Sequence, residues 1–424
     1  MGIFNLLADN VSTNFIDFAV EMISAKPLNW IGKIIQWLIE GVSIVGLGII
    51  LFTLILKTIV LPLDIYSRYK MKKQSLLMKA MRPQMEKLQK QYANDKQMYN
   101  QKVMELQKSH GISMFGACLP MIISLVIFIA VFNAFSTYSQ FANLQSYNKM
   151  VECYNASVED FVVTEDDSGE DIKFLIKSVD EALGTDAYYV NFDAFLERAR
   201  NENKYSKEQI DAFNSSNEAG KMAMVRSYVR EAAGQASAQY YRGHKNNFLW
   251  VKNIWYPDSL LNKEVPDFSN FSSAISRATG SGLSATYQES YDAVTKFLRD
   301  GSDSEGNTYN GYFILIVLAI GLMFLQQFIS MRMQKDSNDL STVDGSGART
   351  NKWMLIIMPI IYGIFSFFYS AAFSTYMITN TLYGLLTMVI LNKIMDVKFA
   401  KKEASGELFK TKNEKKTINR KRLK

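Results

Sequence analysis

The chain has 424 residues, 48% of them hydrophobic, with 47 Lys and Arg against 41 Asp and Glu and a net charge of +6. Two cysteines and two histidines are too few for a disulfide framework or a His-rich metal site, so Cys118 and Cys153 are expected to be free thiols. The sequence holds no P-loop, no HExxH, no C-x-x-C and no nucleophile paired with a base, and Gly345-Ser-Gly347 reads as a linker; no enzymatic chemistry, cofactor or metal is expected.

The apolar residues are gathered into long runs with few charges, at 41–63, 115–135, 312–329 and 353–391. A crossing of the hydrocarbon core takes about 20 helical residues, so the last run is read as two crossings. The expected fold is an all-α membrane protein: a five-span helical bundle with a cytoplasmic helical hairpin and a large, mainly helical extracellular insertion. In chain order this gives an N-terminal segment with an interfacial helix at 1–40, a first span at 41–65, the hairpin at 66–112 and a second span at 113–137. The insertion follows at 138–309. Spans three to five lie within 310–397 (311–331, 353–370 and 372–394), with a short cytoplasmic loop at 332–352, and a basic cytoplasmic tail occupies 398–424. Charge sets the orientation, because Lys and Arg accumulate on the cytoplasmic side. Residues 64–113 carry eleven basic against four acidic residues, 393–424 twelve against four, and 138–309 seventeen against twenty-six. The N-terminus and the insertion are therefore predicted outside, and the hairpin and C-terminus inside. The first 25 residues have no Lys or Arg, and Asp17 and Glu21 break their apolar pattern, so no secretory signal peptide is expected there.

Trp30, Ile34, Trp37 and Leu38 recur at helical spacing behind Pro27, which suits a first turn. This stretch is either a helix lying in the outer interface or the top of the first span. Lys57 stands inside the first apolar run, where an ammonium costs roughly 2.5–3.5 kcal/mol. It either snorkels to the headgroups near Asp64, about 10 Å of helix rise away, or faces a wet cavity within the bundle. In the hairpin, Met78, Met81, Met85 and Leu88 mark one helical face and Tyr99, Val103 and Leu106 another. Ala93-Asn94-Asp95 separates the two helices, with Asn94 or Asp95 as the second N-cap, and Pro83 is expected to kink the first. The many Met residues serve either an adaptable binding surface or the packing of the two helices. Ser124 and Asn133 in the second span, Gln326 and Gln327 in the third, and Ser374, Thr375, Tyr376, Thr379 and Asn380 in the fifth either hydrogen-bond neighbouring helices or wet a groove.

Within the insertion, 190–213 and 218–241 look helical, with breaks at Gly169, Gly184, Gly243, Gly280 and Gly282. Its aromatic stretch Phe248 to Asp258 either returns the chain to the membrane surface or belongs to the insertion's own core. The basic tail suits anionic lipid or RNA phosphate.

Several of these residues occur in a recognisable order. Pro27 to Leu38, Lys57-Thr-Ile-Val-Leu-Pro-Leu63, the hairpin and Gly116-Ala-Cys-Leu-Pro120 come first. Phe248-Leu-Trp250 with Pro257-Asp258, Met358-Pro359 and Tyr376-x-x-x-Asn380 follow. Together they resemble the YidC/Oxa family of membrane protein insertases over all five spans. Lys57 stands where that family usually has Arg, and Ser124 and Val126 where it often has Gln and Pro. The resemblance implies a multi-pass protein of the bacterial plasma membrane, an insertase and chaperone with a hydrophilic groove open to cytoplasm and lipid. The substrate groove would comprise Lys57, Ser124, Asn133, Gln326, Gln327, Thr375, Tyr376 and Asn380. The implied partners are nascent membrane proteins, the ribosome through the tail and hairpin, the Sec translocon and membrane lipids. An alternative reading is a small-solute transporter or channel with an extracellular ligand-binding domain. A third makes the insertion an adhesin or receptor that the bundle anchors.

Overall fold

The computed structural model describes residues 18–110, 114–163, 172–180, 185–300, 308–333, 353, 356–357, 359–361, 363–364 and 366–404, with the backbone alone at 78, 96, 114–125, 178–180, 185–187 and 403–404. Several expectations lie outside the described residues. They are those for 1–17, Gly169, Gly184, loop residues 334–352, tail residues 405–424, Met358, and the side chains of Met78, Cys118, Pro120 and Ser124.

The chain divides into two compact units. The first comprises Met1–Pro27, Gln140–Lys245 and Lys263–Thr308; the second comprises Leu28–Ser139, Asn246–Asn262 and Tyr309–Lys424. Residues 18–27 thus fall with the insertion, and 246–262 with the other unit.

The second unit begins with α1 (Trp30–Glu40), whose N-cap is Asn29, accepting from the Gly32 N–H at 2.7 Å. Pro27 precedes the helix rather than opening it. The stripe of Trp30 and Trp37 is 72% and 75% exposed, while Gly32, Ile35 and Ile39, a second stripe, are buried. The helix is apolar on two faces, one packed on protein. The next helix, α2 (Val45–Gln91), joins the first span and the first hairpin helix without a break, and both Pro62 and Pro83 lie inside it. Residues 92–95 turn the chain into α3 (Lys96–Ser109), N-capped by Asp95, which accepts from the Met98 N–H at 3.0 Å. Leu77, Met81 and Met85 close against Tyr99 and Val103. Met81 and Met85 are 2% and 1% exposed, against 38% and 42% for Met98 and Met104. The methionines of α2 thus pack the hairpin, and those of α3 remain on its surface.

Three helical stretches in the described residues are long and apolar enough to cross a membrane: Val45–Leu77 within α2, Ile314–Met333 (α10), and Ala371–Lys402 within the helix Ala371–Ala404 (α11). The other two expected spans fall partly outside the described residues. The 113–137 run lies in helix α4 (Met114–Glu159), and helical residues occur again from Pro359 to Phe368. The first residues of the expected basic tail, 398–404, continue α11.

The insertion unit is built on the later part of α4, from Gln140, with α5 (Phe192–Asn201), α6 (Lys207–Ser215), α7 (Glu218–Gly243), α8 (Phe268–Thr279) and α9 (Tyr287–Arg299). The helix expected at 190–213 is two helices, separated where Asn203 takes φ 52°. Ser206 and Gln209 form a capping box on α6, and Gly280, at φ 90°, ends α8 in the left-handed region that suits glycine. The unit also contains an antiparallel hairpin, β1 (Leu175–Asp180) and β2 (Thr185–Val190), pairing Leu175 with Val190. The core is aromatic: Phe161, Phe174, Phe195 and Tyr228 meet with ring centroids 5.3–5.9 Å apart. Burial raises the Tyr228 phenol above its ordinary pKa, and its hydroxyl donates to Glu202. It is therefore a neutral donor across the physiological range.

Residues 18–27 have no helix or strand, yet Phe18, Val20 and Ile23 are buried in this core. Two side-chain amides of α4 hold them. Asn155 accepts from the Val20 N–H at 2.9 Å and donates to the Val20 carbonyl at 2.8 Å. Asn148 treats Ile23 identically, at 3.0 and 2.9 Å. Seven helical residues rise about 10.5 Å, and three extended residues span about 10 Å, so the two spacings match. Each amide replaces the partner strand that an isolated extended segment lacks. Asn148→Ala and Asn155→Ala should each cost ~1–3 kcal/mol in denaturant unfolding, since a buried backbone pair is left open, and should expose residues 18–26 to limited proteolysis. In the hairpin, Met85→Ala is expected to cost about 2–5 kcal/mol, whereas Met104→Ala stays within about 0.5 kcal/mol, measured by thermal unfolding of the detergent-solubilised chain.

Candidate functional site

Helix α11 packs along both α2 and α10. At its first turns the interface is aromatic. Phe135 of α4 lies between Phe52 of α2 and Tyr376 of α11, with centroids at 6.5 and 5.9 Å. Phe132 meets Phe373 at 5.1 Å and Tyr369 at 4.8 Å. Phe52, Phe135, Phe373 and Tyr376 are all buried, as are the small polar residues Thr53, Ser374 and Thr375 between them. The Thr53 and Thr375 hydroxyls donate back to the carbonyls of Ile49 and Ala371 in their own helices, so they do not tie one helix to another.

A turn or two farther along, the character changes. Lys57 lies about 7.5 Å of helix rise beyond Phe52. Its neighbour Thr58 places its hydroxyl 3.5 Å from the Tyr383 hydroxyl. An added Cβ on the next residue of α11, Gly384, would stand 2.6 Å from Nε2 of Gln326, so the absence of a side chain there admits the amide. Asn380 is one turn before both. Lys57, Gln326 and Asn380 are thus carried to one level of α2, α10 and α11, and each is half-buried. The charges acting on Lys57 are Asp64, of opposite sign, and Arg68, of like sign, both on α2. On α11, the hydroxyls of Ser374 and Thr381 are buried without a hydrogen-bond partner among the described residues. Seven residues apart, they lie on one face of the helix, and buried polar groups of this kind are places that water or a polar chain can satisfy.

The sequence-predicted site residues therefore separate. Lys57, Gln326 and Asn380 share the polar level, with Gln327 half-buried beside it in sequence; Thr375 and Tyr376 sit in the aromatic layer. Asn133 is exposed on α4, and the Ser124 side chain lies outside the described residues. Sequence reasoning missed the aromatic layer, whose signal was the Phe and Tyr spacing at 128, 132 and 135 and again at 369, 373 and 376. It also missed the contacts at the far end of α11, where Lys72 pairs with Asp396 at 2.5 Å. There, Lys402 donates to the Tyr69 hydroxyl at 3.2 Å, and Tyr69 stacks on Phe399 at 5.0 Å. No group of three or more His, Cys, Asp or Glu placed to hold a metal occurs among the described residues.

A family model, the 60Kd inner membrane protein, matches residues 37–174 and 235–399. The chain is 42% identical over 87 residues to a membrane protein insertase YidC of Fusobacterium nucleatum subsp. nucleatum, covering 20% of this chain and 40% of that protein. It is 34% identical over 113 residues to one of Caldanaerobacter subterraneus subsp. tengcongensis, covering 27% and 53%. A third, from Geobacter metallireducens, is 34% identical over 119 residues, covering 28% and 21%. The aligned stretches cover less than two thirds of each relative's own length. The family match takes in both the aromatic layer and the polar level of the bundle, and with these apolar helices it places the protein in a membrane. This chain belongs to the 60Kd inner membrane protein family, the YidC/Oxa family that its motifs resemble.

Proposed function

We propose that this chain is a membrane protein insertase and chaperone that acts without any covalent step. The observation that carries the reading is the polar level of Lys57, Gln326 and Asn380 next to a closed aromatic layer. Family membership and the insertase relatives support it. In this reading five spans cross a bacterial plasma membrane, with N-terminus and insertion outside and hairpin and tail inside. The aromatic layer is the outer seal, and the polar level is the inner end of a groove open to cytoplasm and lipid.

The mechanism is a partition. A client's hydrophilic outer segment cannot enter hydrocarbon, because each charged residue at the bilayer centre costs roughly 2.5–3.5 kcal/mol. Groups such as Lys57, Gln326, Asn380 and the Thr381 hydroxyl keep part of that path wet. The segment crosses a shorter apolar distance while its apolar helix slides into lipid. Lys57 adds attraction for acidic residues in the segment, which is strong where few waters screen it. The basic hairpin and tail suit ribosomal RNA and anionic headgroups. Clients arriving from the Sec translocon would meet the same groove from the lipid side.

The test is insertion of a single-span client with an acidic outer segment into proteoliposomes. Lys57→Leu should lower the yield about tenfold, equal to ~1.4 kcal/mol, while Lys57→Arg retains it and a client with a neutral segment is unaffected. Full insertion of the acidic client by Lys57→Leu would remove the charge from the mechanism.

A further inference from the structure

Residues 246–262 hold neither a regular helix nor a strand, yet Val251, Ile254, Trp255, Tyr256 and Asp258 are buried. Asp258 is the notable member, a fully buried carboxylate that meets N–H donors. Its Oδ1 accepts from the Tyr312 N–H at 2.7 Å, and its Oδ2 from the Leu315 N–H at 2.7 Å and the Trp250 indole at 3.3 Å. Its own carbonyl accepts from the Phe313 N–H at 3.2 Å.

Tyr312 and Phe313 lead into α10, and Leu315 lies in its first turn. A helix leaves its first N–H groups without partners, and the positive end of its dipole favours an anion there. Usually the residue just before the helix answers this. Here that residue is Phe313, at φ 64°, with no side-chain acceptor, and the carboxylate comes from a distant segment. Gly311 makes the approach feasible, since a Cβ there would collide with Asp258.

The same segment caps a second helix. The carbonyls of Tyr256 and Ile254 accept from the N–H groups of Ala371 and Ala372 at 2.8 and 2.9 Å, the first residues of α11. Asn310 braces the middle of the segment, accepting from the Asn253 N–H and donating to the carbonyls of Asn253 and Pro257. One irregular stretch thus supplies the acceptors for the beginnings of both helices that carry Gln326 and Gly384.

We propose that Asp258 is a positioning residue for the groove: it sets the axial register of α10 against α11, and so holds Gln326 opposite Gly384. An α-helix transmits an axial offset almost unchanged, so a shift at Leu315 arrives at Gln326, about 16 Å along. A slip of one turn, ~5.4 Å, would carry the amide past the gap that Gly384 leaves. The register claim stands on geometry alone; its consequence for insertion rests on the function proposed above.

The test uses the full chain in nanodiscs, with spin labels at the exposed positions Leu325 of α10 and Leu386 of α11. Wild type should give one narrow distance. Asp258→Ala should shift or broaden it by several ångströms. It should also raise amide exchange at least tenfold at 312–315 and, through the shared segment, at 371–372. Asp258→Asn keeps one acceptor oxygen and should lie between, which also covers a failure of the alanine variant to fold. Trp250→Phe removes only the longest of the three bonds and should leave the distance unchanged. An unaltered label distance with faster exchange confined to 312–315 would mean a local cap and overturn the proposal. A shifted register with wild-type insertion would overturn the role in the groove. The Lys57 variants leave the cap intact, so they judge the proposed function separately.

Discussion

Hydrogen-bonding groups among apolar helices have few places to go, and this constraint shapes both units. A backbone N–H or a side-chain amide that leaves water must find a partner within the protein. Several threonines of the bundle answer by bonding their own helix, as Thr53, Thr58, Thr375 and Thr379 do. What remains open is concentrated at one level, where Lys57, Gln326 and Asn380 are half-buried and Thr381 lacks a partner. The clustering of larger polar side chains there makes that level chemically distinct.

The aromatic layer gives this arrangement direction. Phe52, Phe135, Phe373 and Tyr376 fill the space at the first turns of α11 with large rings, leaving only small hydroxyl groups between them. Rings in offset or edge contact pack densely and admit little water. Lys57, Gln326 and Asn380 lie on one side of the layer, so the interior is asymmetric along the helix axes. In the proposed insertase reading, such asymmetry separates a groove from a pore.

Much of this was legible in the residues. Long apolar runs located α10, α11 and the first part of α2, and the period of Met81, Met85, Tyr99 and Val103 located the hairpin, with its cap narrowed to Asn94 or Asp95 until the structure gave Asp95. Two kinds of feature were not legible. One is contact between distant residues: nothing near Val20 or Ile23 signals that amides 135 and 125 residues away will bind them. The other is competition between two readings of one pattern. The Trp30 and Trp37 stripe stood out on α1, while Ile35 and Ile39, the stripe that packs, was less conspicuous. The β1–β2 hairpin was missed because six-residue strands in a helix-rich stretch carry weak alternation, and Tyr188 and Val190 are its clearest inward pair. Of the site, Lys57 was evident from its cost, but the gap at Gly384 that receives Gln326 required the fold.

The amide clamp on Val20 and Ile23 has a consequence for biogenesis. Translation proceeds from the N-terminus, so residues 18–26 leave the ribosome long before Asn148 and Asn155 exist. Throughout that interval Phe18, Val20 and Ile23 have no core to enter. The earliest described stretch of the polypeptide therefore cannot settle until α4 has been made, and until then it is a bare apolar segment that a chaperone has time to hold.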